Sequence, residues 1–175
     1  YLGALEIGLY VTPINWHLVG PEVAYILGDS DAKAFIASER FAEVATIAAT
    51  EAGFPLDHAF AVGTIEGFRP YAELTAGVDD AEPEGRRTGA AMHYTSGTTG
   101  RPKGVKRGLI EIDPSDMGEL LAYLPNLFGI GPHDGHVHLT VSPLYHTARS
   151  SRNRGAKRTA RSAPAAARRG HSRGD

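Results

Sequence analysis

Apolar residues recur at helical spacing in two segments of the first third of the chain. In GPEVAYILGD (residues 20–29), Pro21 and Glu22 suit a first helical turn. The segment ERFAEVATIAATEAG (39–53) has the same period and ends at Gly53, a common helix stop. The residues on the predicted inner faces are Val23, Ile26 and Leu27 in the first segment and Phe41, Val44 and Ala48 in the second.

Short apolar runs precede, separate and follow these two helical segments. They are LYVT (9–12), KAFIAS (33–38) and HAFAVG (58–63). The order strand, helix, strand, helix, strand is typical of a parallel sheet with helical crossovers, so the pattern predicts an α/β fold. After a polar segment without a clear period (64–89), AAMHY (90–94) predicts a return to the sheet.

A third helix is predicted after residue 112. Asp113 suits an N-cap, and Pro114 suits the first helical position. The predicted apolar face consists of Leu120, Leu121, Leu124 and Leu127. Pro125 predicts a kink or an early end. The run HVHLTVSPLYH (136–146) predicts a further strand that leads into a loop.

Composition supports a folded domain and limits the chemistry. The chain has 175 residues, 42% of them hydrophobic, and no cysteine, which excludes disulfides and cysteine metal sites. The lack of cysteine suits a reducing cytoplasm, and no apolar stretch is long enough to span a bilayer. The chain begins at Tyr1 rather than Met, so we expect that the natural N-terminus lies further upstream.

Charge divides the chain into two regions at residue 148. Residues 149–175 hold nine of the 18 Lys and Arg residues but one of the 20 Asp and Glu residues. This tail contains no large apolar residue, so we expect it to be disordered. It could be a solvated extension, a segment that binds nucleic acid or an anionic membrane, or the product of a shifted reading frame; we favour the last. The predicted domain therefore covers residues 1–148.

The most unusual segment is YTSGTTGRPKG (94–104), in which hydroxyl residues and glycines surround a single lysine. A flexible linker or an ordinary loop would not need this fixed order after an apolar run. Backbone amides of a glycine-rich turn, hydroxyls and a lysine together suit a polyphosphate. The segment is not a Walker A loop, because Arg101, Pro102 and Lys103 follow Gly100. Pro102 and Gly104 predict that the chain leaves the loop as a strand.

These residues resemble the signature loop of the adenylate-forming (AMP-binding) acyl-CoA synthetases and ligases. The segment LYVTPINWHLVGPEVAYILGDSDAKAFIAS (9–38) is similar to the part of their large N-terminal domain that precedes the loop. VSPLYHTA (141–148) is similar to the motif that follows it. The resemblance implies a partial N-terminal domain of such an enzyme, most similar to the fatty-acid-CoA ligases.

The resemblance also implies the substrates and the site. ATP, Mg²⁺, coenzyme A and a carboxylate, here a fatty acid, would take part in the full reaction, and the loop would hold the β- and γ-phosphates. The predicted phosphate-binding residues are Thr95, Ser96, Gly97, Thr98, Thr99, Gly100 and Lys103. Thr95, Gly97 and Gly100 would shape the loop, and the other four would contact phosphate. A surface turn with solvated hydroxyls is the alternative.

His146 in PLYH (143–146) would orient the acyl carboxylate if the resemblance extends to this residue, whereas a structural role is the alternative. HDGHVH (133–138) places His136 and His138 on one face of a strand, a pattern compatible with zinc. The family has no metal site there, so we predict none. Lys106 and Arg107 are expected to be charges that face solvent.

Two functions remain open at this stage. The first is a fragment of an acyl-CoA synthetase, inactive alone, that lacks the segments needed for a complete catalytic site. The second is a non-catalytic nucleotide- or phosphate-binding module whose basic tail binds nucleic acid, although no specific nucleic-acid partner is predicted. The sequence does not determine the acyl chain length or the oligomeric state.

Overall fold

The computed structural model describes residues 1–79, 81–95, 101–131 and 145. Its helices are α1 (Leu2–Glu6), α2 (Gly20–Asp29), α3 (Ala42–Glu51) and α4 (Pro114–Leu127). Its strands are β1 (Tyr10–Val11), β2 (Phe35–Ser38), β3 (Ala59–Val62), β4 (Arg69–Pro70), β5 (Ala90–Ala91), β6 (His93–Thr95) and β7 (Lys103–Val105). Short 3-10 helices cover Glu39–Phe41, Leu56–His58 and Tyr71–Leu74.

Helix α2 forms as its sequence predicts. Pro21 occupies the first turn, where its missing N–H costs no hydrogen bond. Glu22 reaches back and accepts a hydrogen bond from the backbone N–H of Val19 at 3.1 Å, which satisfies one of the free donors at the helix start. The predicted inner face is confirmed, since Val23, Ile26 and Leu27 are all buried.

The predicted parallel crossover is confirmed between β2 and β3. The two strands pair in parallel with Phe35 opposite Ala59, and α3 connects them. Helix α3 buries Ala45, Ala48 and Ala49, whereas the predicted Phe41 and Val44 are only partly buried. Helices α2 and α3 approach closely, since a Cβ built on Gly20 would lie 2.3 Å from Ile47 Cγ2. Small alanine side chains therefore suit the face of α3 that packs in the core.

The core lies between α2, α3 and the β2–β3 pair. Phe35 is its main aromatic residue, and its ring packs edge-on against Phe68 at 5.8 Å and Phe54 at 6.2 Å between centroids. The buried members of this cluster are Val23, Ala24, Leu27, Phe35, Ala45, Ala48, Ala61 and Ile65. Leu27 of this cluster lies in the C-terminal turn of α2, which contacts the candidate site described below.

The strands form three hydrogen-bonded groups in the described residues. Strand β1 pairs in parallel with β5, with Tyr10 opposite Ala90. Strand β4, which the sequence did not predict, extends the β2–β3 pair. Gly89 permits the β1–β5 contact, because a Cβ there would lie 2.3 Å from the Leu9 carbonyl oxygen.

Helix α4 begins as predicted but ends later. The Asp113 side chain accepts a hydrogen bond from the Ser115 N–H at 2.8 Å. The helix continues through Pro125, because a proline so close to the end breaks only the final backbone bonds. Two residues of the predicted apolar face are exposed, Leu120 at 62% and Leu127 at 61%, whereas Leu121 is partly buried and Met117 is buried.

Several predictions fall outside the described residues. They are the strand at 136–146, apart from Tyr145, the His136 and His138 pair, and the tail from residue 149. In the ranges that the structure does describe, no helix has the length and apolar character needed to cross a membrane.

Candidate phosphate-binding site

A β-hairpin carries both ends of the predicted phosphate loop. Strands β6 and β7 pair in antiparallel fashion, with Tyr94 opposite Gly104 and Thr95 opposite Lys103. The prediction that the chain leaves the loop as a strand is therefore confirmed. Thr95 and Lys103 are both exposed, and their pairing brings residues on either side of the loop together at one edge of the hairpin.

Five of the predicted loop residues lie outside the described ranges. They are Ser96, Gly97, Thr98, Thr99 and Gly100, and the acyl-pocket candidate His146 lies outside as well. Their roles stay predictions. The structure does describe their neighbours in the chain, which are Tyr94 and Thr95 before residue 96 and Arg101 to Val105 after residue 100.

The first strand of the hairpin is fixed from its buried side. The Met92 N–H donates a hydrogen bond to the Val11 carbonyl at 2.9 Å, which connects the start of β6 to β1. His93 is only 6% exposed, and its Nδ1 donates to the Tyr145 carbonyl at 3.2 Å. The Nδ1 atom must carry the proton, because a carbonyl oxygen can only accept. This bond holds Tyr145, in the second predicted motif, beside the strand that leads into the loop.

The opposite face of the hairpin contacts the last turn of α2. The Tyr94 hydroxyl donates to Asp29 Oδ2 at 2.6 Å, and the Tyr25 hydroxyl donates to Asp29 Oδ1 at 3.3 Å. The Arg101 guanidinium lies over the Tyr25 ring, 5.2 Å from its centroid. Burial and the neighbouring Asp29 carboxylate raise the pKa of Tyr94, and the same causes raise the pKa of Tyr25. Both phenols therefore remain protonated hydrogen-bond donors at neutral pH.

These contacts are not among the sequence predictions. The four residues involved are Tyr25, Asp29, Tyr94 and Arg101. Tyr25 and Asp29 are four positions apart on a helix, so their proximity could have been predicted. Nothing in the local pattern connects Asp29 to a tyrosine that is 65 positions away.

Positive charge follows the loop, and the cations are in different environments. Lys103 is exposed at the start of β7, opposite Thr95. The Lys106 ammonium lies 4.9 Å from the centroid of the Tyr10 ring, so it already has a cation–π contact. Lys106 and Arg107 are exposed, as predicted. Lys103 is thus the lysine best placed to reach a ligand at the loop.

A second surface feature is a cavity lined by two arginines. A cavity of about 320 Å³ is lined by Gly85, Arg86, Arg87 and Glu111. Its two arginines already have anionic partners: Arg86 contacts Asp113 at 3.3 Å and Arg87 contacts Glu111 at 3.5 Å. A further anion would have to compete with these carboxylates. Across the described ranges, no group of three or more His, Asp or Glu side chains could hold a metal ion.

Two curated relatives of this chain are fatty-acid ligases. The fatty acid–[acyl-carrier-protein] ligase ScoC of Streptomyces coeruleorubidus is 34% identical over 107 residues, which cover 59% of this chain and 19% of that protein. The long-chain-fatty-acid–CoA ligase FadD13 of Mycobacterium tuberculosis is 36% identical over 111 residues, 60% of this chain and 21% of that protein. The chain therefore spans about a fifth of the length of these curated relatives.

The fold has a counterpart among solved structures. The luciferase-like enzyme from the nonluminescent mealworm Zophobas morio matches with a TM-score of 0.58 and 15% identity, over 83% of this chain and 34% of that one. At this identity the likeness shows the fold alone. A family model of AMP-binding enzymes matches residues 1–151. The chain belongs to the AMP-binding enzyme family.

Proposed function

We propose that this chain carries the phosphate-binding part of an acyl-CoA synthetase that activates a fatty acid with ATP. The observation that carries the proposal is the hairpin register, which places Lys103 and Thr95 opposite each other at the two ends of the glycine-rich loop. Family membership and the fatty-acid ligases among the relatives support it.

In the first proposed step, a carboxylate oxygen of the fatty acid attacks the α-phosphorus of ATP. A new bond forms between that oxygen and phosphorus, and the bond from the α-phosphorus to the oxygen bridging to the β-phosphate breaks. The electron pair leaves with pyrophosphate, and acyl-adenylate remains. Charge accumulates on the departing pyrophosphate, so donors held around it lower the barrier.

The residues of the loop would supply those donors. Lys103 would give a positive charge, and hydroxyls and backbone amides would bind phosphate oxygens. The proposed set is Thr95, Ser96, Gly97, Thr98, Thr99, Gly100 and Lys103. Mg²⁺, which accompanies ATP, would add positive charge when bound.

The second proposed step transfers the acyl group to a thiol. The thiol of coenzyme A gives up its proton to solvent and its sulfur attacks the acyl carbon. The bond from that carbon to the phosphate oxygen of AMP breaks, and AMP leaves with the electron pair. We propose coenzyme A as the acceptor because FadD13 is named a CoA ligase. An acyl-carrier protein, for which ScoC is named, is the alternative acceptor. A cytoplasmic location remains part of the proposal.

His146 is proposed to orient the substrate carboxylate. The hydrogen bond from His93 to the Tyr145 carbonyl supports this role, since it connects the residue before His146 to strand β6. The same strand delivers Thr95 to the loop.

A competition experiment tests the proposal on the full chain. Calorimetric titration compares ATP, pyrophosphate and AMP, each with Mg²⁺. Pyrophosphate corresponds to the β- and γ-phosphates of ATP, whereas AMP carries the α-phosphate alone. Contacts to the β- and γ-phosphates predict that ATP and pyrophosphate compete for one site and that AMP binds more weakly. Equal affinity for AMP and ATP, or no binding of ATP, would contradict the proposed function.

A further inference from the structure

The two ends of the phosphate loop contact the same helical turn. Tyr94, which directly precedes Thr95, donates its hydroxyl to Asp29 at 2.6 Å. Arg101, which directly follows residue 100, lies over the ring of Tyr25 at 5.2 Å. Tyr25 also donates to the second oxygen of Asp29 at 3.3 Å. We call Tyr25, Asp29, Tyr94 and Arg101 the loop-end cluster.

The position of Asp29 indicates a role other than helix stability. It is the last residue of α2, where the partial negative charge of the helix end disfavours a carboxylate. Its side chain is exposed, so it contributes no apolar burial. Its two oxygens instead accept the two phenols of the cluster, one on its own helix and one on the hairpin.

We propose that the C-terminal turn of α2 fixes both ends of the phosphate loop, with Asp29 holding the entry through Tyr94 and Tyr25 holding the exit through Arg101. Asp29 and Tyr25 are positioning residues, and neither contacts phosphate. Holding Thr95 and Arg101 in place before a ligand arrives lowers the entropic cost of binding it, so we expect the affinity for polyphosphate to rise. This consequence rests on the proposed function, whereas the fixation of the loop ends does not.

Amide hydrogen exchange on the full chain tests the fixation without any nucleotide. Asp29→Asn removes the charge and weakens the bond to Tyr94, so exchange should become faster at residues 93–95 and 103–105. Strands β2 and β3 should exchange as in the unaltered chain. Asp31→Asn is the matched control, because Asp31 is also exposed and pairs with Lys33 at 2.7 Å. Asn also tolerates the positive φ of 51° at that position.

A second variant separates the two ends of the loop. Tyr25→Leu removes the ring beneath Arg101 but leaves Asp29 and Tyr94 in place. Exchange should then accelerate at residues 103–105 more than at 93–95. If Asp29→Asn and Tyr25→Leu both leave hairpin exchange unchanged, or if Asp31→Asn accelerates it equally, the proposal is wrong.

Nucleotide affinity tests the functional consequence. Asp29→Asn should weaken ATP·Mg²⁺ binding by about threefold to tenfold, as expected for part of a charge-assisted hydrogen bond. Tyr94→Phe should have a similar effect on affinity. The double variant should bind ATP·Mg²⁺ about as tightly as the single variant with the lower affinity, because the two residues act through one contact. The unfolding midpoint of Asp29→Asn should not fall, because loss of a carboxylate relieves the helix end.

The outcomes distinguish the two proposals. If the unaltered chain binds no ATP, the proposed function fails, and the exchange experiment still decides whether the loop-end cluster fixes the loop. If ATP binds but Asp29→Asn and Asp31→Asn have equal affinities, the positioning role is overturned while the proposed function stands. Additive effects of Asp29→Asn and Tyr94→Phe would also overturn it.

Discussion

Lys103 and Lys106 allow a comparison of two lysines that are three residues apart. Lys103 lies at the end of the loop opposite Thr95, whereas the Lys106 ammonium lies over the Tyr10 ring. Lys103→Ala should therefore weaken ATP·Mg²⁺ binding more than Lys106→Ala does. A contact from a charged group contributes about 1.5–3 kcal/mol, roughly tenfold or more in affinity. Titration calorimetry measures both, and equal losses would remove Lys103 from the site.

Gly104 is a residue at which a single methyl group should disturb the hairpin. A Cβ there would lie 2.4 Å from Met92 Cε and 2.9 Å from Tyr94 Cζ. Met92 is buried and Tyr94 is held by Asp29, so neither can move away freely. We expect Gly104→Ala to lower the free energy of unfolding by about 1–3 kcal/mol, the usual cost of overpacking.

Gly108 provides the matched control for that substitution. Nothing lies within 4 Å of a Cβ built on Gly108, so Gly108→Ala should leave stability nearly unchanged. Urea unfolding of the two variants measures the difference. If Gly104→Ala were as stable as Gly108→Ala, the close packing of Tyr94 and Met92 around β7 would be wrong.

At the scale of single residues, the sequence identified candidate phosphate-binding residues but not the contacts around them. Thr95 and Lys103 were predicted from residue type and order, and the structure places them opposite each other. The contact from Tyr94 to Asp29 was not predictable, because it depends on how the hairpin packs on α2. Such long-range contacts follow from tertiary structure and leave no period in the local pattern.

Among the elements, α4 offers a test of helix capping. Its N-cap Asp113 has a lowered pKa, chiefly because the Ser115 N–H donates to the carboxylate, with a further contribution from Arg86. A lowered pKa means that the ionised Asp113 carboxylate stabilises the folded chain. This contribution is complete above the usual pKa of 3.8 and is lost as the pH falls through the pKa of the folded state. Asp113→Asn keeps an acceptor at the cap but removes the charge.

We therefore expect Asp113→Asn to lower the thermal midpoint at neutral pH, and the difference from the unaltered chain to shrink as the pH drops below 3.8. Thermal unfolding followed by circular dichroism across this range measures it. Asp116→Asn, in the same first turn, is the control and should have a smaller effect. A difference that did not depend on pH would exclude the charged cap as its cause.

Elements with a strong local pattern were predicted well, and pairings between distant elements were not. The buried face of α2 and the parallel pair β2–β3 followed from spacing and from the crossover between them. The pairing of β1 with β5 joins Tyr10 and Ala90, which are 80 positions apart, so no local sequence pattern predicts it. The exposed Leu120 and Leu127 show that an apolar stripe predicts a face without specifying what covers it.

At the scale of the whole chain, the change in composition near residue 148 leads to a prediction about the coding DNA. Large apolar residues cease after Tyr145, and a basic segment without them occupies residues 149–175. We expect another reading frame past the codon for Ala148 to encode an apolar helix and strand. Sequencing the coding DNA and its downstream region checks this. A stop codon, or equally polar sequence in every frame, would mean that the tail is a genuine extension.

The activity of the isolated chain is the last prediction. Adenylation requires the fatty-acid carboxylate and the α-phosphorus to be held in line, and the barrier rises steeply when either is poorly placed. The chain matches segments that make up 19% and 21% of the fatty-acid ligases it resembles, so about four fifths of each of those proteins has no counterpart in the match.

We therefore expect the purified chain to bind ATP without exchanging pyrophosphate into it in the presence of fatty acids. Labelled pyrophosphate exchange, with a panel of chain lengths, measures this directly. Lys103→Ala is the control for contamination, because activity from a host synthetase would persist unchanged in that preparation. Exchange that is present in the unaltered chain and lost in Lys103→Ala would show that the hairpin and its surroundings suffice for adenylation.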